Sequence, residues 1–433
     1  MDFDSSSASS SGMSVRPPLP RLTVFWLTIF LGTLAALGPL AIDMYLPAFP
    51  RIAEAFGTQV SDVQRTLASY FVGLALGQLF YGPLADRFGR KPALYLGLSL
   101  FALASMGCAL ARSVGALAVI RFVQALGGCA EMVMSRAIVR DLFDDRQSTK
   151  VFSSLVLVMG VAPILAPLIG GFLAGHFGWS AIFWLHTVAG LGGLISTGFF
   201  FRESLPVQRR IRQSAREIGS TYLELLGHRE FMVQALTVSI GMAGLFAYVG
   251  GSPYVFEKIF HVTESRFGFY FGPIAVGIIG MSQVNGFLAG RFDIRMILRR
   301  ALIVGAVAGL ALLADATSGF GGFWGIYIPL WVFMASMGFV FPNTTVLAMS
   351  PHGRIAGNAS AVLGFLQFGI SAVGGLLVSA WQSTQVRPTA IPMAGTIAIC
   401  TIAALAMNFM SHAGATTPAP SDEAEGSVLA AEQ

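Results

Sequence analysis

The segment GPLADRFGRKP, residues 82–92, packs one acid (Asp86) and three bases (Arg87, Arg90, Lys91) between two runs of about twenty residues that carry almost no charge. Those flanks, near 64–84 and 92–111, are each long enough to cross a bilayer as a helix. The alternation continues outward, giving spans near 22–45, 64–84, 92–111, 115–138, 150–174, 180–201, 231–256, 267–289, 299–318, 323–348, 357–381 and 390–411. Ten-residue segments of alternating polarity are missing, so the spans read as helices whose backbone groups are satisfied internally.

Composition agrees. Only 11% of the 433 residues are charged and 55% are hydrophobic, with a mean hydropathy of +0.70, whereas a soluble domain carries about 25% charged residues. Twelve tilted helices of about 23 residues use about 276 and leave about 157 for loops and tails, which excludes a large soluble domain. Cys108, Cys129 and Cys400 lie in apolar runs without metal-type spacing, so neither a disulfide nor a metal site is expected. The Ser-rich start shows no removable signal.

With the N-terminus inside, 19 of the 27 Lys+Arg fall on one side of the spans and six on the other, while Arg121 and Arg136 lie within a span. The positive-inside rule then makes both termini cytoplasmic. Residues 202–230 hold six arginines and no apolar run, and read as a solvated cytoplasmic linker between two six-helix bundles, 22–201 and 231–411. An internal repeat supports the division: YGPLADRF at 81–88 returns as NGFLAGRF at 285–292, an offset of 204 that also carries the first span onto the seventh. Residues 1–21 and the acidic, Ala/Pro/Ser-rich 412–433 read as disordered tails. The expected fold is therefore an all-α membrane protein, with twelve helices in two pseudo-symmetric bundles around a central cavity, a transporter architecture.

The tight 82–92 connection uses Gly82 and Gly89 for backbone freedom, and Asp86 either accepts from N–H groups at a helix start or pairs with Arg87 or Arg90. The string resembles the cytoplasmic signature of the major facilitator superfamily. That resemblance implies the twelve-helix major facilitator fold and a gating role for Gly82, Asp86, Arg87, Gly89 and Arg90. In the fifth span, GVAPILAPLIGG at 160–171 puts Gly160, Pro163, Pro167, Gly171 and Ala174 within a wedge of about 80°, a face fit for close helix packing. It is similar to the antiporter signature of the drug-exporting members, where the bent helix is implicated in sealing the pathway; here Ala166 stands where that pattern favours glycine. Together with LGPLAIDMYLPAFP at 37–50 and RFVQALGG at 121–128, these elements resemble the bicyclomycin-resistance (Bcr/CflA) branch of drug:proton antiporters. In the second repeat, Gly290 replaces the acid at Asp86.

An ion buried in a spanning helix costs at least ~2.5–3.5 kcal/mol on insertion scales, so intramembrane charges are functional candidates. The first bundle has Asp43, Arg121 and Glu131; from 231 to 411 charges stand only near span ends. Asp43 and Arg121 read either as a structural ion pair or as a proton carrier with its regulator. Glu131 reads as a second proton site, a selector for cationic substrates, or a neutral acid hydrogen-bonded in place. Gln124 shares its helix face.

For substrate contacts, the aromatic and amide residues Tyr45, Tyr70, Phe246, Tyr248, Tyr254, Trp324, Trp331, Gln283, Asn285 and Asn343 are candidates beside Gln124 and Glu131, although aromatics also face lipid and amides also bond neighbouring helices. The six histidines are scattered without catalytic spacing and no phosphate-cradling GxxxxGK[ST] is present, so neither an enzyme nor a nucleotide-driven pump is expected. The resemblance implies proton-coupled export of small amphipathic antimicrobials from the bacterial inner membrane. Its expected partners are the drug, protons and lipid, with no cofactor and no nucleic acid, and the expected functional unit is a monomer. The competing reading is a metabolite or sugar transporter on the same scaffold.

Overall fold

A computed structural model describes residues 21–143, 145–211 and 213–410. Except for Arg21, the expected tails, 1–21 and 412–433, lie outside the described residues, as does Arg212 of the linker. The first half comprises α1 (Arg21–Asp43), the short α2 (Phe49–Phe56), α3 (Val60–Phe88), α4 (Arg90–Ala109), α5 (Val114–Leu142), α6 (Asp145–Phe177) and α7 (Ser180–Phe200). A connecting helix α8 (Ala215–Gly227) leads to α9 (Arg229–Pro253), α10 (Glu264–Ala289), α11 (Ile294–Ser318), α12 (Gly322–Met349), α13 (Ala356–Ser383) and α14 (Ile391–Met410). Twelve of these helices are long and apolar enough to cross a membrane, and the described residues form no strand.

Each half packs its own helices, and the halves meet along two seams, α3 with α13 and α6 with α10. The α6–α10 seam is built from small residues. A side chain at Gly171 would collide with the Glu264 carbonyl, and one at Gly160 would lie 3.3 Å from Ile279. The wedge read from the sequence thus faces the opposite half, and Pro163 and Pro167 stand inside α6 along it. Small contact faces let two helices approach and slide with little interlocking.

The 82–92 connection is tighter than a loop. α3 runs through Phe88 and α4 starts at Arg90, so Gly89 alone lies between them, at φ +106°. Gly82 makes no turn: it sits inside α3 with open space beside it, which corrects its expected role in the tight backbone.

The linker is not wholly solvated. Ser214 and Glu217 close a reciprocal capping box at the start of α8. Leu225 is buried in a small apolar cluster with Phe231, Ala359 and Val362, and the Tyr222 hydroxyl donates to the Leu79 carbonyl at 3.0 Å. Burial, with the Asp86 charge adding to it, pushes the Tyr222 hydroxyl up to about 12, so it stays a neutral donor at neutral pH.

Candidate functional site

At the end remote from Gly89, the two halves are bonded to one another. Arg51 pairs with Glu264 at 2.5 Å, Gln64 donates to the Gly250 carbonyl at 3.0 Å and to Gln382 at 3.2 Å, and Ser379 donates to the Ser61 carbonyl at 2.7 Å. Phe71 packs on Phe246 with ring centres 4.2 Å apart, and Phe246 backs Phe368. At the Gly89 end, no hydrogen bond or ion pair joins one bundle to the other among the described residues, and only the linker's Tyr222 reaches across. Here a mouth of about 410 Å³, lined by Gly82, Asp86, Arg90, Arg140 and the first turn of α13, leads to a central cavity of about 350 Å³ between the halves. Gln78, Arg136 and Ser360 line both.

The central cavity is walled by Met132, Met242, Met349, Leu155 and Phe368, with Ser135, Thr345 and Gln367 as neutral polar groups. None of the residues expected to contact substrate is in this wall. Tyr254 lines a separate vestibule of about 690 Å³ beyond the seal. Trp331 borders a lateral groove with α10 and α11 and donates to the Pro273 carbonyl at 3.1 Å, while Trp324 and Gln283 are exposed. Asn285 and Asn343 bond each other, at 3.2 and 2.7 Å, and so tie α10 to α12. Phe246 stands behind Phe368, and Tyr248 stacks on Phe271.

The remaining expected contacts, Tyr45, Tyr70, Gln124 and Glu131, belong to a buried polar core around Arg121. The Arg121 guanidinium is fully buried; its Nη1 donates to the Ala41 carbonyl at 3.0 Å and to Gln124 at 2.7 Å. Its Nε and Nη2 have no hydrogen-bond partner, and the cation instead lies 4.1 Å from the Tyr70 ring, 4.6 Å from Tyr45 and 5.8 Å from Phe183. Such a cage stabilises a desolvated cation through ring quadrupoles. Gln124 passes the network on to Ser105 at 2.7 Å, and the Tyr45 hydroxyl bonds Thr66 at 2.7 Å. His186 of α7 packs between Phe101 and Phe183 beside the cage, a participant that the scattered histidine pattern gave no means to find.

Of the two readings of Asp43 and Arg121, the structural ion pair is not formed among the described residues. Arg121 reaches α1 through the backbone of Ala41, and the Asp43 carboxylate, 6% exposed, has no hydrogen bond or ion pair among the described residues. Glu131 is fully buried and both its oxygens lack partners, so it is neither hydrogen-bonded in place nor positioned to meet a molecule in the cavity.

The Gly89 end carries a second cluster. Arg90, 3% exposed, pairs with Asp86 at 2.6 Å and with Asp141 of α5 at 2.8 Å. Asp86 therefore takes the ion-pair option. The helix-start N–H groups of Arg90 and Lys91 donate instead to Glu203, at 2.9 and 3.1 Å. Glu203 follows α7, and a side chain at Gly89 would collide with it. Arg87 takes no part and stands over the Phe88 ring at 5.4 Å. Glu203 was hidden in the sequence by the 113 residues that separate it from Arg90.

A family model described as Major Facilitator Superfamily matches residues 29–378. The chain is 38% identical over 367 residues to the uncharacterized MFS-type transporter YdgK of Bacillus subtilis, covering 84% of this chain and 91% of that protein. It is 33% identical over 390 residues to the bicyclomycin resistance protein homolog of Haemophilus influenzae, covering 90% and 97%. Among solved structures, a crystal structure of a D-xylose–proton symporter superposes with a TM-score of 0.72 at 14% identity, covering 89% of this chain and 97% of that one.

Proposed function

The chain belongs to the major facilitator superfamily, a multi-pass membrane transporter in the branch that holds the bicyclomycin resistance homolog, and on that footing we propose that it exports small amphipathic antimicrobials in exchange for protons. The Gly89 end, with its excess of Lys and Arg, is assigned to the cytoplasm of a bacterial inner membrane, which makes the cavity inward-facing. One observation carries the proposal: two carboxyl groups with no partner among the described residues, Asp43 and Glu131, are buried in spanning helices within a half that also buries Arg121. An unpaired carboxylate in such surroundings is costly, and a proton removes the cost.

Asp43 is the coupling carboxyl in this reading. It ends α1 just before the turn Leu46–Ala48, which packs on α9 and α10 of the opposite half, so parting of the halves changes its surroundings. Proton release toward the cytoplasm and drug release outward are then opposite outcomes of the same rocking movement. Arg121 holds α1 to α5 through Ala41, and its charge biases the core's proton affinity. Glu131 serves as a second proton site. Asp86 and Arg90, with Gly89 between their helices, and the Gly160–Gly171 face of α6 form the moving joints. The cavity and both acids lie in one chain, so a monomer suffices.

The test is drug accumulation in everted vesicles under an imposed pH gradient, with bicyclomycin as the first probe. Accumulation should require the gradient and stop with a protonophore. Uphill transport that survives collapse of both the pH gradient and the membrane potential would overturn the antiport reading.

A further inference from the structure

We propose that the central cavity selects amphipathic molecules bearing a carboxylate, or a comparably strong oxygen acceptor, and discriminates against lipophilic cations, with Arg136 as the receiving side chain. This rests on the cavity being the transport site and names what that site holds.

Arg136 is the one charged side chain in the wall of the central cavity among the described residues. It stands six residues before the end of α5, about 9 Å inside the helix, yet its side chain is open to the cavity. Among the described residues only its Nε is engaged, donating to the Met132 carbonyl at 3.3 Å, and no carboxylate pairs with it. A guanidinium with its outer N–H groups free presents the planar fork that a carboxylate accepts in two parallel bonds. In the same wall, Gln78 is 4% exposed with no hydrogen-bond partner for its amide among the described residues, and Ser360 adds a hydroxyl. The wall otherwise consists of Met132, Met242, Met349 and Phe368, adaptable apolar surface for the rest of an amphiphile.

The approach has the same sign. Of the mouth's basic side chains, Arg90 is held by Asp86 and Asp141, which leaves Arg136 and Arg140 without an acidic partner among the described residues. The first turn of α13 also faces it, and Ile355 supplies no capping side chain, so the positive end of that helix adds to the field. A narrow low-dielectric passage with an excess of one sign of charge concentrates ligands of the opposite sign. Glu131, which the sequence offered as a cation selector, does not line the cavity.

The experiment uses the full chain in non-ionic detergent, with no gradient, and four probes that share one ring system: 1-pyrenebutyrate, its methyl ester, 1-pyrenebutanol and 1-pyrenebutylamine. Binding is read by fluorescence against empty micelles. The unmutated protein should bind the acid at least about tenfold more tightly than the amine and more tightly than the ester. Arg136→Gln should weaken acid binding about tenfold and leave the alcohol unchanged, Arg136→Lys should retain part of the preference, and Arg136→Glu should favour the amine. Equal or tighter binding of the amine by the unmutated chain overturns the proposal, as does an acid preference that survives in Arg136→Gln. The unmutated comparison decides the matter even where a variant does not fold. Because no gradient is present, a failure of proton-driven export leaves this result standing, and export without the acid preference overturns the selectivity alone.

Discussion

The signature element occurs twice, and its two copies hold their helix starts by different means. In the second copy the cap is local: Asp293 accepts from the N–H groups of Arg295 and Met296 at 2.6 and 3.3 Å, and Arg295 pairs on the surface with Glu230. In the first copy the cap comes from Glu203, itself approached by Arg210 at 4.0 Å, while the Ile211 N–H donates to the Asp86 carbonyl at 3.1 Å. A local cap travels with its helix. A borrowed one is lost or remade whenever the lender moves, so the first copy can report the position of the linker and the second cannot. The same division runs through the membrane: the first half buries Asp43, Arg121 and Glu131, whereas the fully buried polar side chains described in the second are neutral, the bonded amides Asn285 and Asn343 among them. Its one acid with unpartnered buried oxygens, Glu257, stands at a span end.

The largest expected effect tests that division. Asp43→Asn keeps size and hydrogen bonding but removes titration, and should abolish uphill export in everted vesicles while membrane insertion stays normal. Arg121→Lys should impair coupling as well, since an ammonium cannot keep both the Ala41 bond and the stacking on Tyr45 and Tyr70. Proton-driven export at the unmutated rate from Asp43→Asn would move the carrier to Glu131, and Glu131→Gln is the variant that then decides.

Next in size is the switch itself. Asp86→Asn breaks one of the two ion pairs of Arg90 but leaves Asp141 and the Glu203 cap in place. Transport should fall about tenfold, equivalent to ~1.4 kcal/mol, with the melting temperature little changed. A loss of thermal stability in proportion to the loss of transport would make the cluster a structural clamp and remove its gating role.

The two caps can be compared directly. Glu203→Ala strips a partly buried acceptor from three N–H groups, those of Arg90, Lys91 and Leu205, and should cost about 1–3 kcal/mol. Asp293→Ala removes an exposed helix cap worth about 1 kcal/mol. Melting of the purified variants orders them, and an Asp293 effect larger than that of Glu203 would break the contrast between borrowed and local caps.

What the sequence disclosed follows from where polarity is scarce. Asp43, Arg121 and Glu131 stood out because an ion in an apolar run is rare, and the 82–92 string because its charges were crowded into one connection. The cavity wall was illegible for the converse reason: Met132, Met242, Met349 and Ser360 are ordinary residues of membrane helices, and nothing in so evenly apolar a helix marks which face turns inward. Aromatic and amide residues drew attention by their chemistry, yet Trp331 faces sideways and Asn285 bonds another amide. Arg136 did carry a usable signal, being a charge within a span, but sequence alone does not separate an arginine open to a cavity from one that extends to the membrane surface. Glu203 had no signal, because its partners lie across the fold.

The smallest effect belongs to the second half and decides whether its amide pair is scaffold or site. The Asn285 amide donates to Asn343 and receives a bond in return, an arrangement that consumes one donor and one acceptor on each side chain between α10 and α12. Interhelical hydrogen bonds in membranes contribute about 0.6 kcal/mol on average. Asn343→Leu alone should therefore cost somewhat more than that, because Asn285 is left buried without its partner. Asn285→Leu with Asn343→Leu should recover part of the loss, since neither amide then remains unsatisfied. A double-mutant cycle read by thermal melting measures this coupling, and transport by the double variant should stay within about twofold of the unmutated rate, a change of ~0.4 kcal/mol. Transport lost in both single variants and not restored in the double, with the melting coupling near zero, would return these amides to the substrate path and end the view that the second half is scaffold in this layer.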